Sequence, residues 1–348
     1  MPITIDGGRI PNLLSRKIRS RSPQSAGGQK NDAASLRIAL INNMPDPALE
    51  DTEIQFFDLL ESAAGDVPLS LKLYSLPQFP RGDAGKRHLD NFYFGIGDLL
   101  NSRFDGVIIT GAEPLQPDLR NEPYWPVLTE VLDWAERHTA STVLSCLAAH
   151  AGVFYGDGIP RHRLRDKQFG VFEYKKVRDH ALTAGLADGM QIPHSRWNEV
   201  RADALASSGY EILTQSAEAG VDLFVKKKKD SLFVHFQGHP EYGTRTLLKE
   251  FRRDIKRFLK KERDTYPTAP VGYFDAAAVK LLSDFREEVV ANPREELMAK
   301  FPEAAVAGTV QDTWQTSAAT VYRNWLQYLI SRKAEASALR AATPVARA

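Results

Sequence analysis

Short continuous apolar runs alternate along this chain with longer stretches in which apolar residues recur every three or four positions. "LRIALIN" (36–42), "GVIITG" (106–111) and "STVLSC" (141–146) are apolar runs with β-branched residues, the pattern of strands buried on both faces. "LSLKLYSL" (69–76) alternates and reads as another strand. "DPALEDTEIQFFDLLESAA" follows the first run and puts Phe56, Leu59, Leu60 and Ala63 on one helical face. Asp46 is expected to cap that helix, with Pro47 at its first position. "YWPVLTEVLDWAERH" (124–138) and "LAAHAGVFYG" read as two more helices. Strands alternating with helices imply a mostly parallel α/β sheet with helices on both faces.

The second half changes character. "VFEYKKV", "MQIPHSR", "YEILTQS", "DLFVKKK" and "SLFVHFQG" are short strands without long helices between them, expected as an antiparallel extension of the same sheet. Residues 244–262 then form an amphipathic helix, and further helices follow near 274–291 and 312–332. Residues 1–34, rich in Ser, Arg, Gly and Pro, read as a disordered arm, with an organelle transit peptide as the alternative. The Ala-rich residues 333–348 read as a flexible tail. One folded domain over 35–332 remains.

Bulk composition narrows the function classes. The 348 residues are 43% apolar and 26% charged, with a formal net charge of +1. No overall charge favours nucleic acid or a membrane surface. "KKKKD" (226–230) reads as an exposed hairpin tip. No apolar run approaches the ~20 residues needed to span a bilayer. A single cysteine fits a reducing compartment, so the chain is expected in the cytoplasm. The histidines lack ligand spacing, and no metal site is expected. His88, His138, His162 and His180 sit among polar residues and are expected at the surface.

That one cysteine, Cys146, stands where a strand turns into a helix. From its local sequence it reads equally as a small buried hydrophobe or as a nucleophile whose thiolate the helix N-terminus favours. "FQGHPEY" (236–242) weighs toward the second. His239 follows an apolar strand, and Glu241 lies two residues on. An imidazole oriented by a carboxylate is what a thiol nucleophile needs as its base.

"SCLAAHAG" with "GHPEY" resembles the class I glutamine-amidotransferase-like, or flavodoxin-like, architecture. The segments "INNMP…DTEIQFFDLL", "ITGAEP…EPYWPVLTEVLDWA", "YGDGIPRHRLRDKQFGVFEY", "PHSRWNEV", "GHPEYGTRTLLKEFRRD" and "NWLQYLI" occur in order over residues 35–330. Together they resemble the homoserine O-succinyltransferase family. The resemblance implies a Cys146, His239, Glu241 triad in which Cys146 carries the acyl group. It implies substrate contacts from Lys167, Ser195 and Arg253, and oxyanion N–H groups at Leu147 and in the "NNMP" loop. It implies no bound cofactor, acyl-CoA as co-substrate, L-homoserine as acceptor, a place in methionine biosynthesis and a homodimer as the candidate assembly. L-serine as acceptor, acetyl-CoA as donor and glutamine hydrolysis are the rivals. The chain departs from the family pattern at Leu147, where Trp is typical, and at His150, where Gln is common. It also departs at Leu115, where Gly or Glu sets the acyl donor. Leu115 lacks the carboxylate that would repel a succinyl group, so succinyl-CoA is the expected donor, with Arg120 as the candidate partner for its far carboxylate.

Overall fold

The computed structural model describes residues 3–6, 10–11, 14–15, 35–310 and 312–342. Its strands are β1 (Ile3–Ile5), β2 (Leu36–Ile41), β3 (Leu69–Tyr74), β4 (Gly106–Ile109), β5 (Ser141–Ser145), β6 (His162–Lys176), β7 (Met190–Glu199), β8 (Glu211–Ile212), β9 (Thr214–Ser216), β10 (Gly220–Val221), β11 (Leu223–Lys228) and β12 (Ser231–Phe236). The longer helices are α1 (Asp46–Ala64), α2 (Asp83–Phe92), α3 (Trp125–His138), α4 (Leu147–Asp157), α5 (Thr246–Leu259), α6 (Ala276–Ala291) and α7 (Gln315–Ala342).

The main sheet runs β1-β3-β2-β4-β5-β12-β11-β8. Pairing is parallel from β1 to β12 and antiparallel at β12–β11 and β11–β8. The apolar runs explain the layering. Ile38 and Leu40 of β2, Ile108 of β4 and Val143 of β5 face α1 and α7, where Phe56, Phe57, Leu60, Trp325 and Leu329 are buried. Ala39, Ile41, Val107, Ile109 and Leu144 face the other way, onto α3 and α4. Each strand thus needs apolar side chains at successive positions. Gly106 is required by close packing, because a Cβ there would lie 2.7 Å from the Trp325 ring.

Four expectations are corrected. Residues 1–34 were expected to be disordered, but Ile3–Ile5 pairs in parallel with β3 and Leu14 is fully buried. The β-branched "ITI" offers a strand to the sheet edge, and the polar composition of the following residues hides it. Residues 1–2, 7–9, 12–13 and 16–34 of that arm lie outside the described residues. The expected tail from 333 instead continues α7 through Ala342, as alanine's helix propensity favours. Lys333 Nζ ties it back to the Asp105 carboxylate at 2.9 Å and the Ser35 carbonyl at 2.8 Å. Residues 343–348 lie outside the described part. The antiparallel extension is divided: β6 and β7 leave the main sheet and form a second one, ordered β10-β9-β6-β7. It packs against α5 and α6 through Phe169 and Val171. Asp46 does not cap α1; its carboxylate accepts the Gly82 N–H at 2.8 Å and faces Arg81 at 3.2 Å.

The lysine run of β11 turns at Lys229, whose φ is 47°. Lys226 and Lys228 pair with Asp157, and Lys229 with Glu136 at 2.6 Å. Three of the four charges thus have carboxylate partners within the fold. No helix among the described residues is long and apolar enough to cross a membrane.

Candidate active site

The carboxyl ends of adjacent parallel strands meet at one edge, where open α/β sheets place their sites. β5 and β12 pair with Ser145 opposite Phe236, so the residues following each strand become neighbours. That register brings Cys146 beside the turn carrying His239, although 93 positions separate them in sequence (239 − 146). Cys146 N–H donates to the Phe236 carbonyl at 2.8 Å.

Cys146 has φ 52° and ψ −113°, a conformation that a side-chain-bearing residue adopts only under constraint from its surroundings. The strained turn lifts the thiol above the strand end at the head of α4, and it is partly exposed. His239 and Glu241 are both 7% exposed. His239 Nδ1 is 2.8 Å from Glu241 Oε1, and its ring stacks on Tyr242 with centroids 4.2 Å apart. Glu241 Oε1 also accepts the Ser145 hydroxyl at 3.4 Å. The imidazole is therefore fixed in rotation, with its other nitrogen left for the thiol. Burial alone would push the His239 pKa down. The Cys146 and Glu241 charges and hydrogen bonds outweigh it and hold the imidazole well above its usual value. The structure thus brings together the three residues expected as a triad.

At the head of α4 the Leu147 N–H has no intrahelical acceptor. Gly111, after β4, packs against it so closely that a Cβ would lie 3.0 Å from Leu147 N. The "NNMP" loop does not supply a second free donor. Its N–H groups at Asn42, Asn43 and Met44 are engaged by the Tyr74 carbonyl, the Thr110 hydroxyl and the Asn42 side chain. The short turn from β2 folds back on itself, which the sequence did not reveal.

The three expected substrate residues gather on α5 and the second sheet. Ser195 of β7 donates to Glu250 at 2.5 Å. Lys167 of β6 lies 3.2 Å from Asp254 and 3.6 Å from Glu250. Arg253 lies 3.2 Å from Asp254 and 3.7 Å from Glu250. Burial would lower the Arg253 pKa, but these two carboxylates raise it. Tyr242, stacked on His239, donates to Glu250 at 2.5 Å and so links this cluster to the imidazole. Glu250 and Asp254 were not singled out from sequence. Their four-residue spacing on an amphipathic helix, flanking Arg253, was the available signal.

Leu115 and Arg120 are not drawn into the site. Leu115 is 60% exposed, its N–H held by Glu122 at 2.6 Å. Arg120 lies on the surface, bound through Nε and Nη2 to Asp118. His150, at the position commonly Gln, is buried and hydrogen-bonds Gln237 at 2.9 Å. Burial pushes its pKa to about 3, so it is a neutral structural group. His88 was expected at the surface, yet its side chain is 11% exposed and bonded to Glu53 at 2.7 Å. Glu53, on α1, reaches it from a distant part of the chain.

A thiol, an imidazole and a carboxylate in line at the carboxyl edge of an α/β sheet form the apparatus of nucleophilic catalysis on acyl groups. Comparison with known proteins narrows the class to an acyltransferase. The homoserine O-succinyltransferase family matches residues 6–336. The homoserine O-succinyltransferase of Rhodopseudomonas palustris is 43% identical over 311 residues, covering 89% of this chain and 92% of that protein. That of Bradyrhizobium japonicum is 42% identical over 317 residues, covering 90% and 97%. Among solved structures, a glutamine amido transferase from Methylobacillus flagellatus has a TM-score of 0.47 and 13% identity, covering 85% of this chain and 95% of the other. The chain belongs to the homoserine O-succinyltransferase family.

Proposed function

We propose that this chain moves a succinyl group from succinyl-CoA to the hydroxyl of L-homoserine through a thioester on Cys146. The observation that carries the reading is the strained Cys146 turn beside a His239 locked by Glu241. His239 takes the thiol proton, and the thiolate attacks the thioester carbonyl. The tetrahedral oxyanion sits at the Leu147 N–H. Collapse expels the CoA thiolate, which takes the proton back from His239. His239 then accepts the proton of the homoserine hydroxyl as that oxygen attacks the acyl-enzyme, and Cys146 leaves as thiolate. The His239 imidazolium returns its proton to Cys146. Intact-mass measurement after mixing with succinyl-CoA tests this: one succinyl group must appear on the wild type, and homoserine must discharge it.

The cluster on α5 suits a zwitterionic acceptor. Lys167, Arg253 and Arg263 face Glu250 and Asp254, three cations against two carboxylates. The surplus positive charge favours the amino-acid carboxylate, and Glu250 is an acceptor for its ammonium. Arg253→Ala removes a charge-assisted bond of about 1.5–3 kcal/mol. The expected result is a ten- to hundredfold rise in the homoserine KM, with acylation of Cys146 little changed. Collapse of acylation at constant homoserine KM would place Arg253 on the donor side instead.

For the donor, Phe79, Thr110, Tyr124, Leu128 and Leu147 line a crevice of about 10 Å³ beside the elbow, which must open to take an acyl chain. The Tyr124 hydroxyl is buried without a hydrogen-bond partner among the described residues. Arg161 donates to the Pro117 carbonyl at 3.1 Å, on the loop that carries Leu115. Since Arg120 is bound to Asp118, Arg161 replaces it as the partner we assign to the succinyl carboxylate. Because Leu115 is 60% exposed and lies outside this crevice, Leu115→Glu and Leu115→Gly are expected to leave the ratio of kcat/KM values for succinyl-CoA and acetyl-CoA unchanged. A shift toward acetyl-CoA in Leu115→Glu would show instead that this loop chooses the donor.

A further inference from the structure

Beneath His239 lies a buried polar layer that the proposed reaction does not use. Asp222, between β10 and β11, is 1% exposed. Its backbone carbonyl accepts the Gln237 N–H at 3.2 Å, and its Oδ1 accepts the Gly238 N–H at 2.6 Å. His239 N–H in turn donates to the Pro193 carbonyl at 2.9 Å. Three successive N–H groups of the turn are therefore anchored, two of them by Asp222. No side chain fits at Gly238. A Cβ there would lie 2.6 Å from Ile192, 2.8 Å from His194 Nε2 and 2.9 Å from Asp222 Oδ1.

The surroundings leave this carboxylate without a direct ion pair. His194, fully buried, lies 3.8 Å from Asp222 Oδ1, and burial pushes its pKa well below the usual imidazole value. Arg196 Nε donates to His194 Nδ1 at 3.2 Å, which puts the His194 proton on Nε2, 2.8 Å from the Tyr174 hydroxyl. The other Arg196 donors go to the Asn198 and Ala219 carbonyls at 2.8 and 2.6 Å. Asp222 Oδ2 has no hydrogen-bond partner among the described residues. The charged and titratable groups facing Asp222 are Arg196 and His194 on β7, Tyr174 on β6, Tyr322 on α7, and His239 and Glu241 on the turn. A buried carboxylate with one oxygen unpaired is costly unless a nearby positive charge compensates it.

We infer that Asp222 is a positioning residue for His239, clamping the turn that presents the imidazole and supplying, with Glu241, a second negative charge facing the imidazolium. The inference rests on the thiol–imidazole reading of the site. When the thiol proton passes to His239, the cation forms in a buried place where Glu241 bonds it directly and Asp222 acts on it through space. Burial pushes the Asp222 carboxyl up to about 6, against the opposing influence of the Gly238 N–H, Arg196 and His239. The group is therefore charged above that pH.

The test compares Asp222→Asn, which keeps an oxygen for the Gly238 N–H and removes the charge, with Asp222→Ala, which removes both. For Asp222→Asn we expect a ten- to hundredfold loss of kcat with little change in homoserine KM. The alkaline limb of the acyl-transfer pH profile should move down by about one unit, because a destabilised imidazolium gives up its proton earlier. An Asp222→Asn protein with wild-type kcat and pH profile would overturn the charge role, and so would a change confined to its melting temperature. If Asp222→Asn does not fold, infrared titration of the Glu241→Gln protein reads the buried carboxyl. Because Glu241 itself helps raise the Asp222 pKa, an ionised buried carboxyl at pH 7 in this protein supports the inference, and a protonated band persisting at pH 8 overturns it. Failure of wild-type Cys146 to take up an acyl group would instead overturn the thioester reading, so the two failures are separable.

Discussion

Cys146→Ala is expected to abolish acyl transfer, with kcat falling by about four orders of magnitude or more, and to remove the succinyl mass increment from the intact protein. The reason is positional. The thiol is partly exposed at the head of α4 and hydrogen-bonds His239. The alanine protein should fold, because the surrounding core is built from other side chains of β5 and α4, among them Leu144, Leu147 and Ala148. A second measurement separates catalysis from strain. At φ 52° alanine bears the same steric cost as cysteine, whereas glycine does not. Cys146→Gly should therefore be equally inactive yet melt above Cys146→Ala, by a difference of about 1 kcal/mol. Turnover near wild type in Cys146→Ala would sink the covalent route.

Glu241→Gln is expected to be nearly as damaging, with a loss of kcat of about 10³–10⁴. The carboxylate accepts from His239 Nδ1 at 2.8 Å and so fixes which nitrogen faces the thiol. An amide can present N–H there instead and turn the imidazole to the wrong tautomer. Charge acts in the same direction. Burial disfavours the imidazolium, and the Cys146 and Glu241 charges reverse that. Removing Glu241 takes away one of the two influences that oppose burial, so the imidazolium is lost at lower pH than in the wild type. The proton transfer that generates the thiolate weakens, and the rate of Cys146 alkylation by iodoacetamide should shift to higher pH. An unchanged alkylation profile would show that Glu241 only shapes the turn. His239→Asn provides the control in which no imidazole remains to titrate.

The central strands were legible because their burial is written locally. The runs at 36–42, 106–111 and 141–146 correspond to Leu36–Ile41, Gly106–Ile109 and Ser141–Ser145. Strands covered on both faces need apolar residues at successive positions, and few other elements of that length do. The division of β6 and β7 into their own sheet was not legible. Short strands carry no local mark of which neighbour they will pair with, and here β6 chose β7 and β9. The edge strand Ile3–Ile5 was hidden for the same reason: three residues are too few for a period, and β3 supplies the partner.

The same distinction runs through the site. The residues themselves determined that Cys146 lies where a strand becomes a helix, and that His239 and Glu241 share one turn. Residue type and near-neighbour spacing suffice for that. Only the tertiary structure decided the rest. Parallel pairing of β5 with β12 places the thiol at the imidazole. Lys167 meets Asp254 across 87 positions, and Ser195 meets Glu250 across 55. Arg120 was a candidate by sequence proximity, yet its own neighbour Asp118 holds it on the surface. Asp222 carries no motif at all; it is defined by the Gly238 N–H above it and by the burial that leaves one of its oxygens unpaired. Charge partners and buried hydrogen bonds are properties of distance in space, which the chain sets only when it folds.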